Sequence, residues 1–276
     1  MEQSLRRGVW LLLVMCVITL PALGQKEKGK DKDWFGCNDG WNNQRLVNHC
    51  QMKEQTIAAS DISVDGRMNG GVSIKGWERN EVLIRARIQT AAPSQAAAEE
   101  LARQIKVETG DAKIFATGPD NQKDSWWSVS YEIFVPQRSN VSVKTHNGGI
   151  SFSDVNGRLE FSALNGGVNL RHVGGSVRGS TTNGGVNVEL SGNRWDGEAL
   201  DVRTTNGGVS LSIPGNYSAH LETGTVNGRI SVDFPITMQG DITKEVAVNL
   251  GSGGPTIRAM TTNGGVRISR SEGMAF

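Results

Sequence analysis

The stretch VSVKTHNGGISFSDVNGRLEFSALNGGVNLRHVGGSVRGSTTNGGVNVEL, residues 141–190, decides the fold because one short pattern recurs within it. Asn-Gly stands at 147, 156, 165 and 183, and Gly174-Gly175 fills the one gap in this nine-residue spacing. Further copies lie on either side. Eight asparagines begin predicted corners: Asn69, Asn147, Asn156, Asn165, Asn183, Asn206, Asn227 and Asn263. Asn-Gly-Gly occurs at six of them, and Asn156 and Asn227 begin Asn-Gly-Arg.

Apolar residues follow the same frame in three columns. The first column contains Val141, Ile150, Leu159, Val168, Val177 and Val186. The second, two residues later, contains Val143, Phe152, Phe161, Leu170, Gly179 and Val188. A third contains His146, Val155, Leu164, Val173 and Thr182. Because alternate residues of a strand share a face, each unit is predicted to be a short strand with one apolar face and an Asn-Gly corner.

Two unequal nine-residue units alternate, which gives an eighteen-residue rhythm. Asn-Gly-Gly stands at 147, 165 and 183, whereas 156 and 174 begin Asn-Gly-Arg and Gly-Gly-Ser. The interval from Asn183 to Asn206 is 23 residues, so five extra residues lie near 193–197. Repeat arrays tolerate such insertions as loops. We therefore predict that this loop projects, with Trp195 on it.

Two architectures fit the pattern. Asn-Gly can make tight hairpin turns, which would give an antiparallel meander. Alternatively, each Asn-Gly turns a corner of a β-solenoid, and equivalent residues stack about 4.8 Å apart. The alternation of unequal units favours the solenoid. Stacked asparagines are then predicted to form a hydrogen-bonded ladder, with glycine supplying a left-handed corner conformation.

The prediction is an all-β fold, a β-solenoid of short strands with Asn-Gly corners plus a β-rich N-terminal cap containing one short helix. Residues 1–24 are predicted to be a signal peptide, and 25–52 a flexible leader with a disulfide loop. Residues 53–138 form the cap, with a helix at about 94–105 capped by Ser94. Residues 139–272 form the repeat region.

Several motifs, taken in order, resemble a known family. They are Cys50, Ile62-Ser63-Val64, Asn69-Gly70-Gly71-Val72, Gly76-Trp77, the strand 82–88 and the serial Asn-Gly-Gly-Val units. Over about residues 50–272 the chain is similar to the bacterial "putative adhesin" domain family of unknown function. The resemblance implies a secreted or envelope-associated β-solenoid without an established activity. It implies no ligand and no functional residues.

Composition and the N-terminus bear on the compartment. Arg6 and Arg7 precede an apolar run that ends in small residues near Gly24, the layout of a cleaved secretory signal. The net charge is +1, and the chain without residues 1–24 has 27 basic and 27 acidic residues, so nucleic acid is not an expected partner. The run is too short to span a bilayer comfortably, and no other apolar stretch approaches membrane length. The expected location is secreted, periplasmic or cell-envelope.

Cys37 and Cys50 remain after removal of the predicted signal peptide. In an oxidising compartment two cysteines this close are predicted to form a disulfide. Two free thiols, or a metal site that includes His49, are the alternatives.

Signatures of catalysis are scarce. There is no metal-binding histidine spacing, no nucleophile elbow and no column of stacked acidic or basic residues, so no catalytic, metal or cofactor residue is assigned. Trp126, Trp127 and Trp195 are weak candidates for stacking on sugars. We predict a non-enzymatic adhesin-like structural or binding module whose partner is a surface glycan. An envelope signalling or assembly component that docks a protein is the alternative, and a polysaccharide-acting β-helix enzyme is a third.

Overall fold

A computed structural model describes residues 35–37, 45–58, 61–233 and 244–271. The predicted signal peptide and residues 25–34 of the leader lie outside these ranges. In the described residues, no helix has the length and apolarity needed to cross a membrane. The all-β prediction is confirmed, since these residues form twenty strands in two ten-stranded sheets, with one α-helix.

The elements of the N-terminal half include the helix. They are β1 (Val47–Ile57), β2 (Asp61–Asp65), β3 (Val72–Trp77), β4 (Val82–Ala92), α1 (Gln95–Gln104), β5 (Lys106–Glu108), a 3₁₀ turn (Gly110–Ala112), β6 (Lys113–Thr117) and β7 (Trp126–Pro136). Ser94 caps α1, because its hydroxyl accepts a hydrogen bond from the Ala97 backbone N–H.

The elements of the repeat region are strands. They are β8 (Asn140–Asn147), β9 (Ile150–Ser153), β10 (Asn156–Asn165), β11 (Val168–Arg171), β12 (Gly174–Asn183), β13 (Val186–Glu189), β14 (Ala199–Asn206), β15 (Val209–Pro214), β16 (Ala219–Asn227), β17 (Ile230–Val232), β18 (Glu245–Leu250), β19 (Thr256–Asn263) and β20 (Val266–Ser271).

Each coil of the solenoid consists of one strand in each sheet, joined by a corner. In the coil β10–β11, for example, β10 pairs in parallel with β8 and β12, and β11 with β9 and β13. The two sheets enclose one core. All members of the first two apolar columns except Gly179 are buried, which confirms those columns.

The third column is confirmed only in part, since Val155 and Val173 are buried whereas His146 is half-buried. Strict alternation continues along β10, so Leu159, Phe161 and Ala163 point inward and Leu164 is 38% exposed. In β12 the buried threonine is likewise Thr181, and Thr182 is half-buried. Leu164 is more apolar than Ala163, but the strand period of two overrides side-chain hydrophobicity here.

The coils do not stack in chain order. Coil β19–β20 lies between coil β14–β15 and coil β16–β17, although it comes last in the sequence. At the other end, coil β2–β3 lies between coil β6–β7 and coil β8–β9. Residues 53–138 therefore contribute two coils to the stack itself. Antiparallel strands flank the outer coils, with β18 beside β16, β5 beside β6, and β4 and β1 beside β7.

The first glycine of each Asn-Gly-Gly corner is required by close approach, and not by a left-handed backbone as predicted. A Cβ on Gly166 would lie 2.2 Å from the Gly148 carbonyl oxygen of the neighbouring coil. A Cβ on Gly167 would lie 3.6 Å from the Gly185 oxygen, an ordinary contact. Left-handed glycine occurs instead at the opposite corner, where φ of Gly175 is 91°.

The only two tyrosines of the chain are buried. Burial raises the pKa of both Tyr131 and Tyr217 above the ordinary value near 10. The Tyr131 hydroxyl has no hydrogen-bond partner among the described residues.

These tyrosines predict a cooperative loss of stability at alkaline pH. Below about pH 10 they are protonated in the folded and unfolded states, so their contribution is fully present. As the pH rises from about 10 towards the folded-state pKa, the unfolded tyrosines lose protons that the folded ones keep, and stability falls. Tyrosinate absorbance and far-ultraviolet circular dichroism, followed through an alkaline titration, are expected to change together.

Tyr131→Phe is the control for this titration. It is expected to halve the tyrosinate signal and to leave the melting temperature unchanged or higher, because the hydroxyl it removes has no partner. Tyrosinate formation near pH 10 with intact circular dichroism would contradict the burial of these side chains.

Candidate binding site

Seven asparagines form a continuous ladder along one edge of the solenoid. Each amide Nδ2 donates to the Oδ1 of the asparagine in the next coil, at 3.1 Å from Asn147 to Asn69 and 2.8 Å in the other five links. In stacking order the ladder contains Asn69, Asn147, Asn165, Asn183, Asn206, Asn263 and Asn227. All six hydrogen bonds run in the same direction.

A second row of hydrogen bonds holds the corners in place. Buried threonine hydroxyls donate to the carbonyl of the first corner glycine in the adjacent coil, as Thr181 does to Gly166 at 2.8 Å and Thr204 to Gly184 at 2.7 Å. The coil beside it therefore fixes the corner at Gly166, Gly184, Gly207 and Gly264, whereas the Gly148 carbonyl accepts from Thr145 of its own coil at 2.8 Å.

Asn156 does not belong to the ladder. It lies at the opposite corner of the coil, where its Nδ2 donates to the Asp196 carboxylate at 2.6 Å. The eight Asn-Gly sites thus divide into seven ladder members and one different corner.

The ladder ends at Asn69. Its Oδ1 accepts from Asn147, and within the described ranges its Nδ2 has no acceptor. The next coil, β6–β7, has no Asn-Gly corner, because residues 118–125 form a longer loop between its two strands. Asn69 is exposed, so its amide N–H groups face solvent at this end.

A pocket of about 350 Å³ lies at this end of the ladder. Its size falls within the range of small-molecule sites. The corner of coil β2–β3, the 118–125 loop and the ends of β6 and β7 contribute its lining. The lining residues are Arg67, Met68, Asn69, Ala116, Thr117, Gly118, Pro119, Asp120, Asn121 and Trp127.

Trp127 is fixed within this lining. Its indole Nε1 donates to the Pro119 carbonyl at 2.7 Å, and its backbone N–H donates to Asn121 Oδ1 at 3.0 Å. The ring is half-buried, so its orientation is set before any ligand arrives. Met68, 57% exposed, adds an apolar side chain.

Arg67 is also held by its surroundings. Its φ is 55°, and its backbone N–H donates to Asp65 Oδ1 at 2.8 Å. The guanidinium lies 4.7 Å above the Phe115 ring and 3.8 Å from Asp65 Oδ2. Arg67 and Asp120 are the charged groups of the lining, so the pocket combines one cation and one anion with two amides and an indole.

The three tryptophans predicted as weak binding candidates lie in different places. Trp127 lines the pocket, and its half-buried neighbour Trp126 does not. Trp195 is 2% exposed, so the prediction that it projects is wrong. The loop folds back, and the Trp195 indole N–H donates to the Gly175 carbonyl at 3.0 Å. Burial of this large ring is more favourable than its exposure to solvent on a projecting loop.

Sequence reasoning missed the other side of the pocket. Arg67 and Met68 precede a corner, and Pro119, Asp120 and Asn121 form a turn far away in sequence. One signal was available in the sequence. Asn69 is separated from the next Asn-Gly by 78 residues, so the repeat does not predict which segment lies beside the Asn69 corner.

A charged row on the outer face of one sheet was also missed. Glu160, Arg178, Asp201, Arg258 and Glu222 are register neighbours on five adjacent strands. Arg258 Nε donates to Glu222 Oε2 at 2.6 Å. The expectation that no charged column exists is therefore wrong, because the five-residue insertion and the exchanged order of the last coils hide the row in the sequence.

Other titratable clusters are small. His172 Nδ1 lies 3.0 Å from Asp154 Oδ1, and its Nε2 lies 3.7 Å from Glu189 Oε1. In the part of the chain that the structure describes, no group of three histidine, cysteine or acidic side chains could hold a metal ion. Cys37 and Cys50 form a disulfide.

The fold defines a class, the two-sheet parallel β-solenoids with an asparagine ladder at one corner. The chain belongs to the Toastrack DUF4097 family, whose model matches residues 70–269. This confirms the resemblance to a domain family of unknown function. A search of curated proteins finds no match.

Solved structures with low sequence identity cover most of the chain. A "putative cell adhesion protein" from Clostridium sporogenes is 14% identical with a TM-score of 0.41, covering 80% of this chain and 100% of its own. A "putative adhesin" from Bacteroides fragilis is 11% identical with a TM-score of 0.28, covering 80% and 97%. A "Putative lipid binding protein" from Parabacteroides distasonis is 10% identical with a TM-score of 0.27, covering 79% and 96%.

Proposed function

We propose that the protein is a non-enzymatic binding module of the cell envelope or its exterior, and that it holds a glycan residue in the Trp127 pocket. The observation that carries this proposal is the combination of a fixed indole ring with the open amide of Asn69. Both line one pocket.

Sugars need two kinds of contact at once. Their C–H faces pack on aromatic rings, and their hydroxyls both donate and accept hydrogen bonds. Trp127 and Met68 supply apolar surface, Arg67 and Asn69 supply donors, and Asp120 supplies a carboxylate acceptor. A pocket with such mixed, nearly neutral chemistry suits a polar ring better than a lipid chain or a polyanion.

The extracytoplasmic location is part of the proposal. The Cys37–Cys50 disulfide supports it, because disulfides persist in oxidising compartments. The apolar segment predicted as a signal peptide is consistent with export. The proposal assigns no catalytic group, since the pocket lining contains no histidine, cysteine or paired carboxylates.

Trp127→Ala is expected to weaken glycan binding at least tenfold, because stacking on the indole is lost. Trp126→Ala is the matched control, since it removes the same side chain from the adjacent position outside the pocket. A glycan array followed by calorimetry on the best ligand measures both. Equal binding by the two variants, with comparable melting temperatures, would contradict the site.

The alternative function is an envelope component that docks a protein. The charged row from Glu160 to Glu222 favours it, because complementary charges on a sheet face can set the register of a partner. Crosslinking in the envelope distinguishes the two. A single protein captured through that face, with no glycan bound by the purified protein, would favour docking.

A further inference from the structure

We propose that the Trp127 pocket selects N-acetylated amino sugars through their acetamido group. This inference rests on the proposed glycan function and specifies the chemical class of ligand. It follows from the direction of the asparagine ladder and from the charges around its open end.

The asparagine ladder has a positive end and a negative end. Its six hydrogen bonds all run from Nδ2 to Oδ1 towards Asn69, so the side-chain amide dipoles are aligned. Hydrogen-bonded chains polarise their members, by roughly 10–30% per bond. The N–H groups of Asn69 are the positive end of this chain, and Asn69 lines the pocket. The pocket therefore offers a strengthened donor to a ligand acceptor.

The charges of the lining favour a neutral acceptor over an anion. Arg67 is shared with Asp65 and with the Phe115 ring, which reduces its field in the pocket. Asp120 carries a negative charge in the same lining and repels a ligand carboxylate. An amide carbonyl is a strong neutral acceptor, so it suits Asn69 without this repulsion.

The remaining groups match the rest of an acetamide. Its N–H needs an acceptor, which the Asp120 carboxylate supplies, and its methyl group needs apolar surface, which Met68 and Trp127 supply. A hydroxyl at the same sugar position offers a weaker acceptor and no methyl group. The pocket thus distinguishes an acetamido sugar from its hydroxyl counterpart.

The test compares two neutral trisaccharides that share a β-1,4 backbone, N-acetylated chitotriose and cellotriose. Isothermal titration with the full chain is expected to give at least tenfold tighter binding of chitotriose. Asn69→Asp keeps the oxygen that accepts from Asn147 but replaces the donor by a carboxylate oxygen, so it is expected to remove this preference. Asn227→Asp places the same charge at the far end of the ladder, where it also removes the donor to Asn263 Oδ1, and the preference should remain.

Asp120→Ala is the second variant, because Asp120 lies on an exposed loop and the substitution leaves the ladder intact. It is expected to weaken chitotriose binding about fivefold and cellotriose binding less. Equal affinities for the two sugars, both lost in Trp127→Ala, would overturn acetamido selection and leave the glycan function in place. Binding of neither sugar, nor of any array glycan, would overturn both.

Discussion

Val168→Asp is expected to destabilise the protein by about 4 kcal/mol or more. Val168 is fully buried at the start of β11, where its register neighbours are Ile150 and Val186. A carboxylate there would have no cationic partner within the core. It would also lose its hydration, because apolar side chains of both adjacent coils surround it. For a domain of this size the loss corresponds to a fall in melting temperature of about 8–16 °C.

Leu164→Asp is the matched control for this prediction. Leu164 belongs to the predicted third column, but its side chain points outward from β10. The same charge should therefore cost less than about 1 kcal/mol, within the range of surface substitutions. Thermal denaturation followed by circular dichroism measures both variants. Similar losses for the two would contradict the register of β10.

Gly166→Ala is expected to destabilise the protein by about 3 kcal/mol. The new Cβ would lie 2.2 Å from the Gly148 carbonyl oxygen, which is backbone and cannot rotate away. The two coils would have to separate locally, and this would also stretch the Asn165–Asn147 hydrogen bond of 2.8 Å. The melting temperature should fall by about 6–12 °C.

Gly167→Ala separates steric conflict from the general effect of losing a glycine. It is the next residue of the same corner, and its Cβ would have an ordinary contact of 3.6 Å. It is expected to leave the melting temperature unchanged or to raise it slightly, because alanine restricts the unfolded chain. A loss equal to that of Gly166→Ala would show that the close approach of the coils is not what requires glycine.

Much of the fold could be predicted because the repeat is local. The first two apolar columns place Leu159 and Phe161 inward, and this needs only the strand period of two. The ladder follows from the same alignment, since equivalent residues of stacked coils are neighbours. The third column failed where apolar character at Leu164 competed with alternation, and Ala163 took the buried position.

The candidate site was predictable only in part. Trp127 could be picked out as an aromatic on a strand, but Trp195, a candidate because its loop was expected to project, is buried. Whether an indole lines a pocket depends on which loop folds beside it. On the ladder side of the coils that the structure describes, the 118–125 loop is the one corner without an Asn-Gly motif.

The sequence by itself determined the coil: the short strands, the inward residues of the first two apolar columns and the positions of the Asn-Gly corners. These depend on residues a few positions apart or on steps of fixed period. Only the tertiary structure decided the order of the coils, including the insertion of β19–β20 between β14–β15 and β16–β17. The physical reason is that the coils with an Asn-Gly corner present nearly the same edge, with the same asparagine and glycine, so local pairing does not identify the neighbour of each. Order, and with it the open end of the ladder at Asn69, is set by which arrangement covers the outer strands and buries the whole core.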